Sequence, residues 1–252
     1  MFIAGKEGIM KSILSYVRRA VEDYNMIEEG DRIAVGVSGG KDSLTLLMAL
    51  KGLQRFYPKK FELEAITLDM GFEGFDPSGI QKMCDELEVN YTVKSTGIGK
   101  IIFDVRKETN PCSLCAKLRR GALHNTALEQ GCNKVALGHH NDDVIETFFL
   151  CLFFEGRINC FSPVTYLDRK NITLIRPMIY MPEKMTKKAV EKFHLPVAFN
   201  PCPANGETKR QYIKELLGDL DRENRGLKGK IFGAIQRSYI NGWAVDKHQD
   251  LT

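Results

Sequence analysis

Ser38-Gly39-Gly40-Lys41-Asp42-Ser43 follows a short apolar, β-branched run, Arg32 to Val37, and leads into good helix formers from Ser43 to Leu53. A glycine-rich loop between a strand and a helix is an anion cradle. Gly39 and Gly40 let the backbone turn tightly and approach a phosphate. The helix start offers unpaired N–H groups and the positive end of its dipole. Ser38 and Ser43 add hydroxyls, and Lys41 adds charge. Counted from Gly36, the common phosphate loop would need glycine where Lys41 stands and lysine where Asp42 stands, so this is a different cradle.

A second group of polar residues lies far downstream, Gly138-His139-His140-Asn141-Asp142-Asp143, followed by Glu146. Two carboxylates at a helix start, with a third one turn on, suit Mg²⁺ held through its water shell. Asp142 suits an N-cap equally well, and on these residues alone capping and metal binding stay open. A third group is sulfur. Cys112 and Cys115 form a C-x-x-C pair, and Asn200-Pro201-Cys202 repeats Asn110-Pro111-Cys112. Three converging thiolates hold a soft metal: structural zinc if a fourth ligand joins, for which His124 and His194 are candidates, or an iron–sulfur cluster with one open iron. Cys84, Cys132, Cys151 and Cys160 lie in apolar stretches and read as small buried hydrophobes.

The elements that position these groups follow from periodicity. Met10 to Met26 reads as an amphipathic helix. Strands are expected at Arg32–Val37, Phe61–Leu68, Asn90–Val93, Lys134–Leu137 and Ile172–Ile175. Helices are expected at Ser43–Leu53, Pro77–Leu87, after Pro111 to Leu128, at Asp142–Phe154, and through most of the chain beyond Pro182. Alternation of this kind predicts an α/β fold, a doubly wound parallel five-stranded sheet with a helical C-terminal extension. The expected division is an N-terminal helix over 1–29, an α/β domain with the phosphate loop over 30–180, and a helical region over 181–252 carrying the third cysteine. Ligands of such sheets bind outside the carboxyl ends of the strands. The glycine loop, Asp69 and His139-His140 all fall at strand ends.

The 252 residues carry 36 basic and 32 acidic side chains, a net charge of +4 that permits an RNA partner without demanding one. Lys117, Arg119 and Arg120, and Lys184, Lys187, Lys188 and Lys192, form basic clusters. No apolar run reaches membrane-spanning length and no secretory signal is visible, which points to the cytoplasm. Seven cysteines, an odd number, speak for reduced thiols rather than a disulfide framework. Phe148, Phe149, Leu150, Leu152, Phe153 and Phe154 make one helix apolar nearly all round, from full burial or from a homodimer contact.

The Ser-Gly-Gly-Lys-Asp-Ser loop resembles that of the ATP pyrophosphatase (PP-loop) family. Together with Asp23-Tyr24-Asn25-Met26-Ile27-Glu28-Glu29-Gly30-Asp31-Arg32, Cys112-Ser113-Leu114-Cys115-x-Lys-Leu-Arg-Arg-Gly and Leu137-Gly-His-His-x-Asp-Asp, it is similar to the tRNA 2-thiocytidine synthetases, from about Ile9 to Leu217. The resemblance implies an adenine nucleotide alpha hydrolase-like fold and an ATP-dependent sulfurtransferase. ATP would be bound by Ser38, Gly39, Gly40, Lys41, Asp42, Ser43, Asp69, Gly138, His139 and Asp143, with Mg²⁺ near Asp142 and Asp143. A [4Fe–4S] cluster would be held by Cys112, Cys115 and Cys202, and Lys41, Asp42, Cys112 and Cys202 would be catalytic. The substrate implied is tRNA, at an anticodon-loop cytidine, with sulfur delivered by a donor such as a cysteine desulfurase. Lys117, Arg119, Arg120, Lys209, Arg210 and Lys214 are candidates for RNA backbone contacts.

One departure stands out: where the family pattern has a second C-x-x-C, this chain reads Cys202-Pro203-Ala204-Asn205. The rival expectations are a PP-loop ligase or thiolase for a small molecule or another nucleoside, using zinc or a cysteine persulfide, and a non-catalytic ATP-binding iron–sulfur sensor.

Overall fold

The computed structural model describes residues 2–102, 111–198 and 209–244. Helix α1 (Phe2–Asp23) is followed by β1 (Asp31–Gly36), α2 (Lys41–Gln54), β2 (Phe61–Asp69), α3 (Ser78–Glu86) and β3 (Asn90–Ser95). A short turn α4 (Ile98–Lys100), α5 (Pro111–Glu129), β4 (Lys134–Ala136) and α6 (Asn141–Glu155) come next. The chain continues through β5 (Val164–Leu167), β6 (Ile172–Ile175), α7 (Glu183–Phe193), α8 (Lys209–Glu223) and α9 (Leu227–Gln236).

Six strands form one sheet in the order β3-β2-β1-β4-β6-β5. The five expected strands are all present and pair in parallel. The sixth, β5, was not expected; it runs antiparallel to β6 at the edge, with Val164 opposite Ile175 and Leu167 opposite Ile172. A turn through 168–170, ending on Asn171 in the left-handed region (φ 48°), reverses the chain between them. The first helix also differs from expectation. It stops at Asp23 because Asn25 takes a left-handed conformation (φ 45°). Met26 and Ile27 then enter the core as loop residues.

Alternate residues of the strands face opposite layers, as a pleated sheet requires. Ile33, Val35, Leu63, Ala65 and Ala136 join the larger core, beneath α1, α2, α3 and α6. Ala34, Ile66 and Val135 join a smaller one with Leu123 and Ala127 of α5. The crossover from β3 through α5 to β4 therefore covers the face opposite α2. Strand order reverses between β1 and β4, and this is where a doubly wound sheet opens a crevice at its carboxyl edge.

The C-terminal helices share the larger core through Ile213, Leu217, Phe232, Ile235 and Trp243. Trp243 is fully buried, donates its indole N–H to the Phe161 carbonyl at 3.1 Å, and meets Tyr24 and Phe232 edge-on. On the amino side of the sheet, Lys134 Nζ lies 2.7 Å from Asp31 and also donates to the Met26 carbonyl. Asp31 in turn accepts from Asn133 and from the Glu28 N–H. This buried pair ties β1, β4 and the loop after α1 together.

Candidate active site at the β1–β4 crevice

The glycine loop leaves the end of β1 and becomes the first turn of α2. Its bonds hold it open as a cradle. Ser43 Oγ donates to the Gly40 carbonyl at 2.9 Å and accepts the Ser38 N–H at 3.1 Å. Ser38 Oγ lies 3.3 Å from Ser43 Oγ, and the Ser38 residue is exposed. Gly40 is the N-cap of α2 and has no side chain to satisfy the first-turn N–H groups, so they remain for a ligand. Gly39 takes φ +78°, and a β-carbon there would stand 2.8 Å from that of Ala198. The Ala198 N–H donates to the Gly39 carbonyl at 3.0 Å. The chain leaving α7 thus lies on the cradle, four residues before Cys202 in the sequence.

The second motif leaves the end of β4 directly beside this loop. A β-carbon on Gly138 would stand 3.0 Å from the Asp42 carbonyl carbon and 3.1 Å from Ser43 N, so only glycine lets the two segments touch. His140 caps α6 in a reciprocal box: its Nδ1 accepts the Asp143 N–H at 3.3 Å, and Asp143 Oδ2 accepts the His140 N–H at 2.9 Å. With Nδ1 accepting, a neutral His140 ring carries its proton on Nε2, which lies 3.8 Å from Asp42 Oδ1. That Asp42 oxygen is buried with no hydrogen-bond partner among the described residues, while Oδ2 accepts from Lys41 at 2.8 Å.

Asp142, the other acid expected near Mg²⁺, has both oxygens engaged by protein. Oδ2 accepts the Glu183 N–H at 2.8 Å and Oδ1 accepts from Lys228 at 2.9 Å. Burial would raise its carboxyl, but these bonds outweigh burial and hold it below the ordinary range. Glu146 behaves oppositely: burial raises it despite the Arg210 guanidinium at 3.1 Å. Arg210 also donates to Thr147, and Lys214 lies 2.7 Å from Glu183. Two of the basic residues expected to face RNA, the exposed Arg210 and the half-buried Lys214, are thus ion-paired within the protein, and Lys117, Arg119 and Arg120 are exposed on α5.

His139 stands apart from the cradle's hydrogen bonds. Its ring packs on Phe161 at 4.8 Å, and Arg176 lies over the same phenyl ring at 4.9 Å. Burial, reinforced by the charge of Arg176, pushes the imidazole down to about 3. Asp69 ends β2, where its carboxylate accepts the Gly71 N–H at 2.8 Å and the Ser95 hydroxyl at 3.4 Å. Its visible role is to shape that turn.

A PP-loop domain model matches residues 12–219. The chain is 42% identical to the tRNA-cytidine(32) 2-sulfurtransferase of Geobacter metallireducens, over 89% of each protein. It is 40% identical to that of Teredinibacter turnerae, over 97% of this chain and 82% of the relative. The chain belongs to the tRNA-cytidine(32) 2-sulfurtransferase branch of the PP-loop family. The fold of this sulfurtransferase branch also matches the U34-tRNA thiolase NcsA from Methanococcus maripaludis, solved with its [4Fe-4S] cluster, at TM-score 0.74 and 26% identity. That likeness covers 91% of this chain and 78% of the thiolase.

Of the cysteines that sulfurtransferase membership brings forward, Cys202 lies outside the described residues. Cys112 falls in the first turn of α5, with its side chain outside the description. Cys115 is partly exposed on the same helix, whereas Cys84, Cys132, Cys151 and Cys160 are buried. Burial pushes the thiol of Cys84 up to about 12 and those of Cys132 and Cys160 to about 11, values unsuited to thiolate ligation. Among the described residues no helix is long and apolar enough to cross a membrane.

Proposed function

We propose that this protein spends ATP to adenylate the C2 oxygen of a cytidine in tRNA and then replaces that oxygen with sulfur. The contact of Gly138 with Asp42 and Ser43 supports the reading, because it brings both motifs together at the sheet's switch point, where a single nucleotide site would form. The cytidine oxygen attacks the α phosphorus of ATP, the bond to the β-phosphate oxygen breaks, and pyrophosphate leaves. The α2 N–H groups, Ser38, Ser43 and Lys41 stabilise the leaving charge electrostatically. Sulfur then bonds to C2 and AMP departs with the oxygen.

Mg²⁺, when bound, would neutralise phosphate charge. Asp143, partly exposed although its oxygens meet the His140 N–H and Arg210, and Asp42, whose buried Oδ1 has no hydrogen-bond partner among the described residues, are the acids that would turn to it. Asp142 would join only by releasing Lys228. For a cluster, the described part of the donor set fits, since Cys115 is the one cysteine not buried among the five whose side chains are described. Cys112, Cys115 and Cys202 would hold it, and an iron left without a cysteine would supply the place from which sulfur is delivered. The exposed Lys117, Arg119 and Arg120 would meet the RNA backbone, with the target base unstacked from a single-stranded anticodon loop. A cysteine desulfurase would serve as sulfur donor in the cytoplasm. The exposed Phe153, Phe154 and Ile158 are the surface a second subunit would cover.

Nucleoside mass spectrometry tests the reading. Unmodified tRNA is incubated anaerobically with iron-reconstituted protein, Mg-ATP and sulfide. A 2-thiocytidine peak that needs ATP, and is lost in Cys202→Ala but not in Cys132→Ala, supports it. No thiolated nucleoside, from protein binding both ATP and iron, would move the substrate to a small molecule. Zinc in place of iron and acid-labile sulfide would overturn the cluster.

A further inference from the structure

Glu183 opens α7 directly after Pro182, remote in sequence from the phosphate loop, yet three ammonium groups converge on its carboxylate. Lys41 of the loop lies 3.1 Å from Oε1, Lys214 of α8 2.7 Å from the same oxygen, and Lys187 of α7 3.5 Å from Oε2. The Glu183 side chain is 12% exposed. Its backbone N–H is fixed by Asp142 of α6, itself held by Lys228 of α9. The carboxylate therefore has a rigid seat, set by α6, α7, α8 and α9 rather than by α2, which carries Lys41. Burial would raise its carboxyl, but the bonds from Lys214 and Lys41 hold it down to about 2, so it stays ionised at any working pH.

We propose that Glu183 is a positioning residue for the pyrophosphate site: it aims Lys41 along the cradle and hands it over to the leaving group. This rests on the nucleotide site proposed above. Lys41 bonds the neighbouring Asp42 at 2.8 Å, and Glu183 is the second carboxylate that fixes its direction. Among the described residues, Glu183 meets all three ammoniums, and of these Asp42 takes Lys41 alone. When a polyphosphate takes Lys41, Glu183 keeps Lys214 and Lys187. Glu183 is not stranded, and on its side the exchange avoids the heavy cost of leaving a buried charge alone. Lys214 is thereby also assigned a role inside the protein.

A double-mutant cycle tests this, because residues acting through one another are not additive. Glu183→Gln is expected to lower kcat for pyrophosphate release about tenfold, with the KM for ATP changed less than threefold and the unfolding transition lowered but still cooperative, since Lys214 and Lys187 lose their shared carboxylate. Glu183→Asp should recover part of that loss. On the Kd for Mg-ATP, measured by calorimetry, Glu183→Gln should have an effect in the wild-type background and none in Lys41→Ala. Equal effects of Glu183→Gln in both backgrounds would overturn the proposal, as would an unchanged kcat. If Glu183→Gln does not fold, Lys214→Gln runs the same cycle with the same criterion. Wild-type protein that binds Mg-ATP but never releases pyrophosphate would count against the proposed reaction, and the calorimetric cycle would still decide the role of Glu183.

Discussion

Gly138 and Asp42 are separated by most of the sheet in sequence, yet a β-carbon on Gly138 would stand 3.0 Å from the Asp42 carbonyl carbon. The neighbour is backbone at the start of a helix, which cannot swing aside as a long side chain would. Gly138→Ala should push α2 and the β4 end apart by a few tenths of an ångström. Misplacement within a catalytic constellation can cost about 10²-fold per ångström. We expect about a tenfold drop in pyrophosphate release, and a larger one for Gly138→Val, with the unfolding midpoint little changed for alanine. Full activity of Gly138→Val would show that the two motifs need not touch.

The Lys134–Asp31 pair is buried on both sides, with 10% and 4% of the side chains exposed. Removing one partner strands the other away from water, which costs about 3–5 kcal/mol. Lys134→Met should lower stability by about that amount in urea titrations at neutral pH. Asp31→Leu combined with Lys134→Met should recover a substantial part, less what is lost because Asn133 and the Glu28 N–H lose their acceptor. An additive double mutant would mean that the pair is not coupled.

His139 is held neutral by burial, down to about 3 against an ordinary 6.5. Its stabilising contribution is therefore complete above pH 6.5 and is lost as the pH falls from there toward 3, because the unfolded chain takes up the proton first. In nitrogen-15 NMR spectra the His139 ring should show the neutral pattern throughout pH 5 to 8. His139→Gln should flatten the acid limb of the stability curve by about 2 kcal/mol between pH 7 and 4, below the full linkage value because the ring is partly exposed. A ring titrating near 6.5 would refute both expectations.

Thiol labelling should separate the cysteines. In folded, cluster-free protein, Cys115 should alkylate readily, while Cys84, Cys132 and Cys160, buried and protonated, should react only on unfolding. Peptide mass spectrometry after a brief iodoacetamide pulse reads the difference. Equal rates at Cys84 and Cys115 would contradict the packing of α3.

Much of this was legible from residue order, and the reason is locality. Ser38 to Ser43 is formed by neighbours in sequence, so its spacing carries its geometry, whereas the cap of α6, for which Asp142 is suited by type, is His140, boxed with Asp143 one turn on. Apart from the mostly polar β3, the parallel strands carry apolar runs bounded by helical periodicity. By contrast, β5 is a four-residue edge strand, too short for its alternation to stand out, although Val164-Thr165-Tyr166 has strand chemistry. The left-handed turn at Asn25 was hidden because Met26 and Ile27 continue an apolar pattern that a helix would share. Glu183 and Arg210 were beyond reach for another reason. Their partners, Lys41 and Glu146, are brought to them by tertiary packing, which charge patterning along one helix does not encode. The same packing gives Arg210 and Lys214, expected as RNA contacts, ion-pair partners within the protein.

The chain has a single tryptophan, and it is Trp243, wedged between Tyr24, Phe232 and the carbonyl of Phe161. Its emission is therefore a built-in gauge of whether α9 is seated against the loop that follows α1. The nearby tyrosines Tyr24 and Tyr180 can feed it excitation. Because α8 and α9 also supply Lys214 and Lys228 to the ion pairs around Glu183, any step that loosens those helices should redden and dim one well-defined signal. The protein can thus be watched while it turns over, with no label attached.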